Sequence, residues 1–77
     1  MASSNGVSNR MQGYIVGLNR NRGFGFLRDE LGEQRFFHAG QMLNVEIQDL
    51  CMGQSLIFEP ARVERGLIAR KVLALGC

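Results

Sequence analysis

Five stretches of this chain alternate apolar and polar residues as half-buried strands do, predicting strands near 12–19, 23–28, 34–39, 54–62 and 66–75. Turn-forming segments separate them: Asn19–Gly23 reads as a polar turn and Asp29-Glu30-Leu31-Gly32 as a hairpin loop. Pro60 has no N–H for a ladder, so its strand must leave it at an edge or near a bulge. Residues two apart on a strand share a face, so Phe24 and Phe26 point one way together, and so do Phe36 and His38. Leu27 and Phe37 then point into a core with Ile15, Leu56, Phe58, Ile68 and Val72, with Leu50 closing one end. Between the third and fourth strands, Leu43, Ile47 and Leu50 have helical spacing, but Val45 and Ile47 are poor helix formers and the segment is short. A long loop with at most a helical turn is expected there.

A chain of 77 residues cannot bury both faces of an open five-stranded sheet. Closure into a small antiparallel barrel removes the sheet edges and buries one side of every strand. The expected fold is therefore all-β, a five-stranded antiparallel barrel over 11–77, preceded by a flexible Ser-, Asn- and Gly-rich tail over 1–10.

The net charge of +2 defines no partner, but its distribution is uneven. Arg10, Arg20, Arg22, Arg28 and Arg35 lie close to the aromatic segments, whereas Gln41–Glu59 holds acids and no Lys or Arg. Such asymmetry points to one basic face. Cys51 and Cys77 form no Cys-x-x-Cys pair and His38 is the single histidine, so no metal site is expected. The chain has no leader pattern and no apolar run long enough to span a membrane, which leads to the expectation of a cytoplasmic protein without a membrane partner.

Aromatic residues on strands are usually buried. Here Leu27 and Phe37 already supply the inward set, so Phe24, Phe26 and Phe36 must look outward, with His38 beside them. The glycines at 23 and 25 leave the Phe24 ring unhindered on either side. Exposed rings next to arginines suit single-stranded nucleic acid, because each stacked base contributes about 1–3 kcal/mol and the connecting backbone is anionic. No serine is spaced to form a triad with His38, and no carboxylate pair stands out as an acid–base couple. The chain therefore reads as a binding protein, not an enzyme, with no cofactor and no small-molecule substrate.

Arg22-Gly23-Phe24-Gly25-Phe26 and Arg35-Phe36-Phe37-His38 carry a resemblance to the cold-shock domain, a five-stranded oligonucleotide-binding (OB) barrel. The first segment is similar to that family's Lys-Gly-Phe-Gly-Phe motif and the second to its Val-Phe-Val-His motif. Asn19, the Leu50-x-x-Gly53-Gln54 segment, Phe58-Glu59, and Gly66, Ala69 and Val72 also fit, so the likeness runs from about Met11 to Leu75. The resemblance implies that Phe24, Phe26 and Phe36 stack bases of single-stranded RNA or DNA and that His38 stacks or hydrogen-bonds one more. It further implies that Arg20, Arg22 and Arg28, with Asn19, line the path of the backbone, in an RNA-chaperone or stress-response role.

The chain departs from the family where typical members carry Lys-Trp-Phe on the first strand, here Val16, Gly17 and Leu18. Ala39 and Ile47 stand where the family has further aromatics, and Arg35 where it has an inward valine. Arg35 must either snorkel to water at the barrel mouth or pair with Asp29 or Glu30 across the hairpin. The aliphatic replacements also raise an alternative, in which the barrel is a protein-interaction or homodimerisation module with the phenylalanines as anchors. Arg20 and Arg22 argue for phosphate instead, and salt dependence separates the two.

Overall fold

Strands form where the alternation places them: β1 at Met11–Asn19, β2 at Phe24–Asp29, β3 at Gln34–His38, β4 at Ser55–Val63 and β5 at Gly66–Ala74. The computed structural model describes residues 10–76, so the predicted tail, apart from Arg10, lies outside the described residues, as does Cys77. The strands close into a barrel in the order β1-β2-β3-β5-β4, with β4 paired back onto β1. One pairing differs from the antiparallel expectation. β5 returns alongside β3 in the same direction, joined in register only at Phe36 and Ile68. A further isolated parallel bridge links Met42 to Val72.

Ile15, Leu27, Phe37, Leu50, Leu56, Phe58 and Val72 are buried as predicted, and Ile47 and Ala69 join them. Each such aliphatic or aromatic side chain contributes about 1.5–3 kcal/mol on burial. Ile68, predicted inside, is instead only partly buried, and its neighbour Ala69 takes the inward place. The cause is a β-bulge. Ile57 pairs with Leu73 and Glu59 with Arg70, so Lys71 and Val72 together face the single residue Phe58. Lys71 absorbs the kink with a φ of +49°. Inward residues are therefore three apart across the bulge, at Ala69 and Val72, rather than an even number apart.

A second bulge lies in β1, where Ile15 pairs with Leu27 but Gly17 pairs with Phe26. Val16 is the extra residue, and it turns Gly17 to the outer face. Past β4 residue Phe58, β1 no longer pairs with β4, so among the described residues β5 is the only strand neighbour of Pro60. Between β3 and β4 the chain is a long loop with two single 3₁₀ turns, at Ala39–Gln41 and Ile47–Asp49.

Arg35 pairs with Asp29. Its Nε donates to Asp29 Oδ2 at 2.8 Å, and its Nη1 donates to the carbonyls of Ile68 at 2.9 Å and Ala61 at 3.1 Å. The guanidinium carbon also sits 5.6 Å from the centre of the Phe58 ring. Leu31 and Glu33 N–H groups donate to Asp29 Oδ1, each at 2.9 Å. Burial pushes the Asp29 carboxyl up, but the Arg35 hydrogen bond, the two backbone donors and the Arg35 charge together hold it below the ordinary carboxylate value.

Candidate functional site

The two aromatic segments meet rung by rung, because Phe24 lies opposite His38 and Phe26 opposite Phe36. The Phe24 and Phe36 ring centroids are 5.5 Å apart with their planes tilted by 35°, and Phe26 lies 5.9 Å from each of them, edge-on. Phe36 is exposed, whereas Phe24 and Phe26 are half-buried against their neighbours. The rings form a mutually packed triangle on the outer face.

The glycines around Phe24 have other duties than clearing its ring. Gly25 points inward, where a Cβ would lie 2.6 Å from Phe37 Cζ. Gly23 closes the turn at a φ of +77°. Gly17, next to Phe26 on the outer face, is different. A Cβ there would make ordinary contact with Phe26, 3.5 Å from its Cδ2.

Cross-strand rungs order the outer face: Asn19–Phe24–His38, then Gly17–Phe26–Phe36, then Tyr14–Arg28–Gln34. His38 Nδ1 accepts the Gly40 N–H at 3.0 Å, which fixes the ring and leaves Nε2 as its outward donor. Asn19 Oδ1 accepts the Arg22 N–H at 3.1 Å and its carbonyl accepts the Gly23 N–H at 2.9 Å, so this side chain shapes the turn that carries Arg22. Among the described residues the exposed Arg22 guanidinium has no side-chain partner. Arg20 is committed in part, since its Nη2 donates to the Leu50 carbonyl at 2.6 Å and ties the turn to the long loop. Arg28 stands at the far end of the platform, with Nη1 donating to the Gly32 carbonyl at 3.3 Å. Cationic groups thus flank the rings at both ends.

The rung through Phe26 and Phe36 continues onto Ile68 and then Ala61. Ile68, placed in the core by its alternation, therefore extends the apolar strip instead. Beside it a cleft of about 440 Å³ is lined by Phe36, His38, Val63, Arg65, Leu67 and Ile68. A second, more polar cleft of about 540 Å³ lies between the β1–β2 turn and the long loop, bordered by Arg22, His38, Met42 and Glu46. His38 borders both. No local pattern pointed to either cleft, because each is made by segments remote in sequence.

No family model matches the chain. It is, however, 33% identical over 70 residues to the cold shock-like protein CspG of Shewanella violacea, which covers 90% of this chain and 100% of the relative. The chain belongs to the cold-shock protein family. The major cold shock protein CspA of Pseudomonas aeruginosa is 32% identical over 66 residues, covering 86% of this cold-shock chain and 96% of the relative. Among solved structures, Unr CSD456 from Drosophila matches with a TM-score of 0.73 at 30% identity, covering 90% of this chain and 28% of that one.

This cold-shock barrel clarifies the departures noted in its sequence. Ile47 is buried in the core, and Leu18 and Ala39 are partly buried against that core. Gly17 is the replacement on the outer face beside the rings, where a Cβ would meet Phe26 at ordinary contact distance.

Proposed function

We propose that this cold-shock protein binds single-stranded RNA or DNA on its outer face. The observation that carries the reading is the packed triangle of Phe24, Phe26 and Phe36 between His38 and Arg22 at one end and Arg28 at the other. Bases stack on the rings, each worth about 1–3 kcal/mol. Arg22 and Arg28 follow the phosphates, and Arg20 and Asn19 hold the turn that presents Arg22. The His38 Nε2–H donates to a base edge or backbone oxygen. Stacking is tolerant of sequence, so selectivity is weak.

Ligand held in this way cannot pair with another strand, so binding draws hairpins toward the open form by mass action. That is the physical basis of an RNA-chaperone or stress-response role in the cytoplasm, and it requires no catalysis and no cofactor. The burial of Ile47 counts against the protein-interaction alternative, which needs a continuous apolar rim.

The test is fluorescence-anisotropy titration of labelled single-stranded RNA and DNA heptamers at low and high salt. Binding that weakens steeply as salt rises is expected. A folded sample that binds neither at low salt overturns the reading and directs the search to a protein partner or a second copy of the chain.

A further inference from the structure

We infer that Arg35 is a positioning residue for the binding face, acting through Ile68 and Phe36. The inference rests on the base-binding reading above. The seam between β3 and β5 is the weakest of the barrel: one register pair, Phe36 with Ile68, joins the two strands. Beyond it the tie is made by the loop, where the Leu43 N–H donates to the Val72 carbonyl at 2.9 Å. The guanidinium of Arg35 spans this seam from inside. It reaches the Ile68 carbonyl on β5 and the Ala61 carbonyl on β4 with one nitrogen, while Asp29 at the end of β2 holds Nε.

Arg35 thus links four strands at the rung next to Phe36. The link has an orienting consequence on the opposite surface. Ile68 and Phe36 are direct cross-strand partners, so their side chains share the outer face and together form one wall of the 440 Å³ cleft. Holding the Ile68 carbonyl holds the backbone that carries this wall. A valine at position 35 would leave both carbonyls without that donor and the carboxylate of Asp29 without its partner. The clamp is therefore specific to a guanidinium, whose planar fork serves several acceptors at once, and a lysine ammonium has no such fork.

Arg35→Lys keeps a cation beside Asp29 but loses the fork. The experiment compares this variant, Ile68→Ala, the double variant and the wild type. It measures amide hydrogen exchange across β3 and β5 by NMR and the affinity for labelled single-stranded DNA and RNA heptamers under conditions where every sample is folded. Faster exchange confined to the β3–β5 seam and about tenfold weaker binding in Arg35→Lys are expected. The effect should shrink in the Ile68→Ala background, because both changes remove the same wall. Wild-type affinity in folded Arg35→Lys, or losses that simply add in the double variant, would assign Arg35 a purely structural role and overturn the inference. A wild type that binds neither the DNA heptamer nor the RNA heptamer overturns the base-binding reading itself, and the positioning role with it. Should Arg35→Lys fail to fold, Asp29→Glu, which moves the partner that holds Nε, is measured in its place with the same outcomes.

Discussion

Gly25 and Phe37 face each other across β2 and β3, so closely that a Cβ on Gly25 would lie 2.6 Å from the ring and 2.9 Å from the Gly17 carbonyl. The second glycine of the Gly-Phe-Gly segment is thus demanded by the core behind the platform. Gly25→Ala should destabilise the fold by about 1–3 kcal/mol through overpacking. Gly17→Ala, whose nearest contact is 3.5 Å away, provides the control. Urea unfolding of both variants checks this, and equal midpoints would mean that the Phe37 ring yields freely.

Phe36 is exposed and the rings of Phe24 and Phe26 touch it. Replacing Phe24 or Phe36 with Ala should weaken oligonucleotide binding by about 1–3 kcal/mol. The circular-dichroism spectrum should stay that of the wild type. Because the rings are in contact, the double variant should lose less than the sum of the single losses. A collapse of the fold in the Phe36 variant would mean that this ring belongs to the core.

Gly17→Trp would set an indole on the outer face beside Phe26, where the β1 bulge has turned position 17. Tighter binding is expected, by about 1–3 kcal/mol for one added stacking surface. Anisotropy titration reads it directly. An unchanged dissociation constant in a folded variant would place the ligand's path away from the β1 side of the platform.

Arg22 and Arg20 should behave differently, although both lie in the same turn. Arg22 has no side-chain partner among the described residues, whereas Arg20 holds the Leu50 carbonyl. Arg22→Glu should weaken binding most at low salt and reduce the slope of log affinity against log salt by about one phosphate contact. Arg20→Ala should lower thermal stability as well as affinity. A loss for Arg22→Glu that is the same at every salt concentration would contradict a phosphate role.

Asp29 carries a pH dependence whose sign follows from its hydrogen bonds. Its folded carboxyl is held below the ordinary value of 3.8. Below that ordinary value the unfolded chain binds the proton more readily than the folded one. The stabilisation is therefore complete above the unfolded pKa and is lost as pH falls through the folded pKa. Asp29→Asn removes this acid-induced loss but leaves Arg35 buried without its counter-charge, at a cost of about 3–5 kcal/mol near neutral pH. Urea midpoints measured as the pH is lowered should therefore converge for the two proteins. Parallel profiles would show that another group governs acid unfolding.

The sequence alone determined the strands, the turns between them and the outward set of Phe24, Phe26, Phe36 and His38. Those features follow from alternation and turn chemistry, which are properties of a few consecutive residues. The resemblance carried by the two aromatic segments also pointed to the family. Tertiary structure decided the rest. Alternation places Ile68 with Val72 inside, but the bulge at Lys71 exchanges Ile68 for Ala69, and a bulge exists only in relation to the strand opposite. Arg35 had two open fates at the level of sequence, and the hairpin that brings Asp29 within 2.8 Å chose between them. The resemblance sets Ile47 where the family has a rim aromatic, yet the closing of the barrel draws it into the core. The cleft beside Phe36 arises from β3 and the β4–β5 hairpin meeting at a parallel seam. Local pattern sets which way a side chain points along an unbroken strand, while pairing between distant segments sets where that strand is broken and what it faces.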